Sequence, residues 1–81
     1  MSKEVQLAAG LNDNLMVMKR LYGDQWMEIT KPYREFMKEE LKRQNSTNPL
    51  QVVLGVAKQM SDKGENPVLL IAVATEMAQQ N

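Results

Sequence analysis

The chain has 81 residues, ten Lys and Arg against ten Asp and Glu, and neither cysteine nor histidine. Domains usually contain about 50–250 residues, so one helical domain spanning residues 1–81 is expected. The missing residue types exclude disulfides, thiolate nucleophiles and zinc sites that depend on Cys or His. A net charge of zero does not favour recognition of polyanions through the overall field.

The hydropathy pattern predicts no membrane span. The longest apolar run, Val68–Ala74, has seven residues, whereas a transmembrane helix needs about 20. The N-terminal segment is polar and does not resemble a secretory signal. Together with the absence of cysteine, these features predict a cytoplasmic protein.

The first predicted helix covers about Lys3 to Tyr22, followed by Gly23 as a left-handed C-terminal residue. Its apolar stripe has helical spacing and consists of Val5, Ala8, Leu15, Met18 and Tyr22. Gly10 and the cluster Asn12–Asn14 weaken its middle. We expect a break there, with Asn12 capping a second short helix; one continuous helix with a weak point is the alternative.

The second helical segment begins with Asp24 as the expected N-cap and is interrupted by Pro32. Because proline lacks a backbone donor and disfavours helix at the residue before it, a short helix from Asp24 to Thr30 is expected. Thr30 would then cap a helix over Pro32–Gln44. A single kinked helix is the alternative, and a polar linker follows over residues 44–47.

The last 34 residues contain the most regular pattern. Asn48-Pro49 and Asn66-Pro67 each place a capping Asn before a Pro at the first helical position. Gly64 is expected to end the first of these helices. Helices over Leu50–Ser61 and Pro67–Gln79 are therefore predicted to form an antiparallel hairpin. The predicted fold class is all-α, a small bundle of four or five short helices ending in this hairpin.

The run Val68–Ala74 is apolar on every side of its predicted helix, so every side must be covered. One possibility is a central helix ringed by the other segments. We favour a second copy of the chain covering one face, which makes a homodimer the expected assembly. The predicted self-association residues are Val68, Leu69, Leu70, Ile71 and Val73. A buried strand is a third possibility, against which the Asn-Pro start and the alanines argue.

A second apolar group surrounds the only tryptophan. Seven of the 81 residues are methionine, a side chain that adapts to irregular cores and to binding surfaces. Tryptophan and tyrosine are favoured anchors at interfaces. Since the hairpin already supplies apolar area for a core, this group is predicted to bind a partner protein; core packing is the alternative. Its members are Trp26, Met27, Tyr33, Phe36 and Met37.

A basic ridge on the third helix is the one candidate surface for nucleic acid. It is formed by Lys31, Arg34, Lys38 and Lys42. The acidic residues Glu35 and Glu39 run beside it and neutralise much of its field. No catalytic set, phosphate-binding loop, metal-binding motif or cofactor site is found in the sequence.

The sequence therefore predicts a non-catalytic protein–protein interaction module. The expected role is a self-associating inhibitor or adaptor that masks another protein, as accessory proteins of mobile genetic elements and viruses do; this last association is a class expectation that no residue carries. The alternatives are a dimeric nucleic-acid-binding regulator that uses the basic ridge, and a structural assembly subunit.

Overall fold

The computed structural model describes the backbone of residues 3–80 and the side chains of residues 10–80. Its helices are α1 (Lys3–Tyr22), α2 (Trp26–Ile29), α3 (Lys31–Arg43), α4 (Pro49–Asp62) and α5 (Val68–Gln80), with a 3-10 turn over Gly23–Gln25. The all-α prediction is confirmed, and residues 3–80 contain no strand. No helix within them is long and apolar enough to cross a membrane. The predicted stripe residues Val5 and Ala8 lie outside the described side chains.

Helix α1 is continuous over 20 residues, so the expected break at Asn12 is wrong. The asparagine side chains that could cap a new helix are bonded to α5 instead. The Asn12 Oδ1 accepts a hydrogen bond from the Gln79 Nε2 at 2.7 Å, and the Asn14 Nδ2 donates to the Val68 carbonyl at 3.5 Å. Because these contacts and the burial of Leu15 hold the middle of α1 against α5, the weak local propensity is overridden.

The corner between α1 and α3 differs in detail from the prediction. Gly23 has a φ of 55° and ends α1 as expected. Asp24, however, lies inside the 3-10 turn. The N-cap position of α2 is held by Gln25 and not by Asp24. Thr30 separates α2 from α3, but its hydroxyl makes no cap; it donates to the Trp26 carbonyl at 2.6 Å. Pro32 lies in the first turn of α3, so it marks a helix start and not a kink.

The C-terminal hairpin follows the prediction except at the start of its second helix: α5 begins at Val68, so Pro67 and not Asn66 holds the N-cap position. The Asn48 Oδ1 accepts a hydrogen bond from the Gln51 backbone N–H at 3.3 Å, and the Asn66 Oδ1 accepts one from the Val68 N–H at 3.0 Å. Gly64, with a φ of 81°, lies in the turn between the helices. These local signals are strong because each satisfies a backbone group that a helix end leaves unpaired.

Helix α5 is the centre of the bundle, packed against α1, α3 and α4. One side of it contributes Leu70 and Ala74 to a core shared with α3 and α4. Its other side contributes Ala72 and Val73 to a core shared with α1 and Trp26. Small alanines on α5 let its neighbours approach closely, which suits a helix that must be covered on several sides.

Candidate functional site

A groove with a volume of 520 Å³ lies between α3 and α4 and reaches the turn before α5. Its α3 wall has helical-face spacing over Pro32, Tyr33, Phe36, Glu40 and Arg43, and its α4 wall has the same spacing over Val56, Gln59, Met60 and Lys63. The buried Leu70 of α5 and the exposed Glu65 of the turn before it complete the lining. The groove is therefore formed by one face of α3, one face of α4 and the start of α5.

The floor of the groove is apolar and is continuous with the core. Tyr33, Val56 and Met60 are half-buried and pack against the cluster that contains Met37 and Leu70. Phe36 lines the same groove and remains 41% exposed. A large aromatic side chain left open beside an apolar floor is the kind of feature that marks a binding surface on a small domain.

The rim of the groove carries both signs of charge. The Arg43 guanidinium lies 2.6 Å from the Glu40 carboxylate, and the Gln44 Nε2 also donates to that carboxylate at 3.1 Å. The hydrogen bond from Arg43 lowers the pKa of Glu40, and the same bond raises the pKa of Arg43. Lys63 and Glu65 lie exposed elsewhere on the groove lining. Two acids and two bases give the rim no net charge.

The predicted partner surface is divided by the fold. Tyr33 and Phe36 line the groove. Met27 is 63% exposed but lines a different hollow, beside Arg34 and Lys38. Two members of the set are core residues: Trp26 is buried between α1 and α5, and Met37 is fully buried against α4 and α5. The prediction is corrected for these two, because neither is exposed on the surface of a single copy of the chain.

The predicted self-association face is largely used within one copy. Leu70 and Val73 are buried, and Val68, Leu69 and Ile71 are half-buried. The physical reason is the central position of α5, since α1, α3 and α4 cover it from three sides. Of the three possibilities that the sequence left open for this run, the structure has the central helix.

Arg34, the second residue of the predicted basic ridge, is not available on the surface. Arg34 turns inward, with its guanidinium 2.6 Å from a Glu76 carboxylate oxygen and its side chain only 14% exposed. Lys31, Lys38 and Lys42 remain exposed on α3. A cation already paired with a buried carboxylate has little to offer a phosphate, so the ridge is reduced to three lysines.

The partner of Arg34 belongs to a buried polar network that the sequence analysis missed. Glu76 is buried in α5 and lies 2.9 Å from the Lys19 Nζ; it also accepts from the Trp26 indole N–H, at 3.3 and 3.4 Å to its two oxygens. The Arg34 Nε donates to the Thr30 hydroxyl at 3.1 Å. No buried side-chain N or O atom among the described residues lacks a hydrogen-bond partner. The one signal in the sequence was a lone acid two residues after the apolar run.

The charge state of Glu76 follows from these contacts. Burial by itself raises the pKa of this carboxyl, but hydrogen bonds from Lys19, Arg34 and Trp26 together outweigh it and hold the pKa below its ordinary value of 4.5. Glu76 is therefore an anion at neutral pH, with its donors supplied by α1, α2 and α3. The network ties three helices to α5 through one side chain.

Within the part of the chain that the structure describes, no three or more His, Cys, Asp or Glu residues group as a metal site. The groove brings together Tyr33 and Phe36, which the sequence predicted as partner-binding residues, with Val56, Met60 and Leu70. No signal in the sequence indicates that these last three residues line a groove. Comparison with protein-family models, curated proteins and solved structures gives no match to this chain.

Proposed function

We propose that this chain is a non-catalytic interaction module that binds an apolar segment of another protein in the groove between α3 and α4. The observation that carries the proposal is Phe36, a 41% exposed aromatic side chain that lines a groove together with the core-packed Val56 and Met60. Buried aromatic anchors supply much of the energy of protein interfaces, and such anchors are exposed before the partner arrives. As an inhibitor or adaptor, the chain would cover the bound segment and keep it from other contacts.

The occupant that suits this groove is a short amphipathic helix. Helix α3 has 13 residues, a length of about 20 Å at 1.5 Å per residue, which matches three to four turns of a helix laid beside it. A helix bound in this way presents apolar anchors at positions i, i+3 or i+4, and i+7. The rim adds Glu40 and Arg43 at one wall and Lys63 at the other, so charges of both signs on the flanks of the partner helix would be paired.

The size of the groove sets the expected strength of binding. Stable protein interfaces bury about 800 Å² on each partner, and smaller ones are weak or transient. A groove of 520 Å³ accepts one helix face and little more. We expect a reversible complex of micromolar affinity. A cytoplasmic location is part of the proposal and rests on composition, in which cysteine is absent.

The first stage of the test is site-specific crosslinking in cells of the source organism. A photo-crosslinking phenylalanine analogue replaces Phe36 in one variant and Met27 in a second, because both side chains are exposed but only Phe36 lines the groove. The proposal expects the Phe36 variant to capture one defined segment with amphipathic helical spacing. Equal capture by the two variants, or capture of nothing, would count against it.

The second stage measures binding of that segment as a synthetic peptide. Calorimetric titration is done with the wild-type chain, Phe36→Ser and the matched control Met27→Ser. Since an anchor residue contributes about 1–2 kcal/mol or more, Phe36→Ser should weaken binding about tenfold, and Met27→Ser should not change it. The nucleic-acid regulator would be favoured instead if the chain bound a DNA or RNA oligonucleotide with a steep salt dependence, lost that binding in Lys38→Glu with Lys42→Glu, and kept it in Phe36→Ser.

A further inference from the structure

The outward face of α1 is apolar and uncovered. Met16, Val17 and Leu21 are between 51% and 71% exposed. They account for three of the six large apolar side chains that stand exposed among residues 10–80. The inward face of the same helix packs Leu15 against α5 with Tyr22 beside it, so α1 is apolar on two opposite faces. A concentration of exposed apolar side chains on one helix is more informative than the same number scattered over the surface.

The charges on this outward face have a particular order. Asp13 and Arg20 are both exposed and lie seven residues apart, which is two turns, so they share one line along the helix. Met16 and Val17 lie between them, on either side of that line. Neither Asp13 nor Arg20 takes part in the ion pairs found among the described residues. From the N-terminal end, the face therefore has an acid, an apolar centre and a base.

That order is complementary to itself when one copy is reversed. We propose that α1 forms the interface of a homodimer in which two copies pack this helix antiparallel about a two-fold axis between Met16 and Val17. In this arrangement Asp13 of each copy faces Arg20 of the other, about 5 Å along the helix from the axis at 1.5 Å per residue. The apolar centres meet at the axis, where a two-fold interface brings each residue near its own counterpart.

The edge of the face supports the same arrangement. Leu21 lies one turn beyond Val17 on one edge of the face, and Gly10 lies two turns before Val17 on the same edge. Gly10 is exposed, and a side chain built there meets nothing within 4 Å. In the antiparallel pair, the bare backbone at Gly10 of one copy comes near Leu21 of the other and leaves room for it.

The dimer surface is separate from the groove and does not depend on the proposed function. The residues that line the groove come from α3, α4, α5 and the turn before α5, with none from the described part of α1. The groove would therefore stay open in the dimer, which would present two grooves. The shared face spans only a few turns, well below a standard interface of about 800 Å² per partner. We expect a reversible dimer that dissociates on dilution.

The test is sedimentation velocity over a series of concentrations with charge-reversal variants. Asp13→Arg alone, or Arg20→Asp alone, places like charges opposite each other and should weaken dimerisation by about tenfold or more. The double variant Asp13→Arg with Arg20→Asp restores opposite charges in both pairs and should return the dimer to near wild-type strength. If Asp13 and Arg20 affected only the folding of a single copy, adding the second substitution to the first would not be expected to restore dimerisation.

Matched controls separate this surface from others. Val17→Glu should give a monomer, whereas Leu54→Glu, which changes an exposed apolar residue on α4, should leave the dimer unchanged. Phe36→Ser should also dimerise normally. A wrong proposal for binding in the groove can therefore be distinguished from a wrong proposal for dimerisation through α1. A wild-type chain that stays monomeric at all concentrations, a double variant that is not rescued, or an equal loss in Leu54→Glu would overturn the proposal.

Discussion

Removing the charge of Glu76 should destabilise the protein far more than removing the charge of a surface glutamate. Glu76→Gln keeps the size of the side chain but leaves Arg34 facing a neutral amide. Breaking a buried ion pair by removing one partner costs about 3–5 kcal/mol, because the other charge stays buried. Lys19 is 50% exposed and can return to water, whereas Arg34 is only 14% exposed. The loss of stability therefore comes mainly from Arg34, the one partner that stays buried. We expect the free energy of unfolding to fall by about 3 kcal/mol, the low end of that range.

The magnitude is large enough to measure by thermal unfolding. A domain of this size changes its Tm by about 4–8 °C for each kcal/mol, so Glu76→Gln should lower the Tm by more than about 10 °C. Glu40→Gln is the matched control, because Glu40 lies at the same distance of 2.6 Å from an arginine nitrogen but its partner Arg43 is exposed. Exposed pairs contribute little, so this variant should unfold close to wild type.

The pH dependence gives an independent check with a defined sign. The pKa of Glu76 in the folded chain is below 4.5, the value expected when unfolded. Its contribution to stability is therefore present in full above pH 4.5 and is lost as the pH falls through the lower, folded pKa. The Tm difference between wild type and Glu76→Gln should shrink with acidification below pH 4.5. Equal Tm values for Glu76→Gln and Glu40→Gln at neutral pH, or a difference from wild type that does not shrink in acid, would refute the reasoning.

Three further substitutions test other parts of the fold by urea or thermal unfolding. Met37→Ala removes a fully buried side chain and should cost about 2–5 kcal/mol, while Met27→Ala, at a 63% exposed position, should cost little; the reverse order would mean that Met37 is not core. Asn48→Ala removes the cap of α4 and should cost about 1 kcal/mol, and an unchanged midpoint would contradict that role. Gly64→Ala forces an alanine to a φ of 81° with open space around it, so backbone strain alone should cost about 1–2 kcal/mol; a stabilised variant would exclude such strain.

The polar network and the groove place different demands on the same helix. Helix α3 turns Arg34 inward to Glu76 and Phe36 outward into the groove, two residues apart. Because neighbouring positions on a helix point in different directions, one short helix can anchor the core and line the groove proposed as the binding surface. Its position is held by the buried ion pair and by Met37, so loss of Glu76 should disturb the groove as well as stability.

The division of the predicted partner surface shows where sequence reasoning stops. Trp26, Tyr33, Phe36 and Met37 all fall near one stripe of a helical pattern, and nothing in that pattern distinguishes core from surface. The distinction depends on which helix lies opposite each residue. Trp26 meets α1 and α5, and its indole N–H reaches Glu76, 50 residues further along the chain. A contact across that separation leaves no local signal.

The features that could be predicted from the sequence are local in their physics: an all-α chain, the hairpin at its end, the capping role of Asn48, and the left-handed glycines after α1 and α4. Each depends on backbone groups within a few residues of one another. Four features became visible only with the packed fold: α1 is unbroken, α5 is central, Arg34 is paired with a buried carboxylate, and Phe36 lines a groove. These outcomes depend on burial against distant elements, and packing free energy of that kind outweighs the small local preferences that a sequence displays.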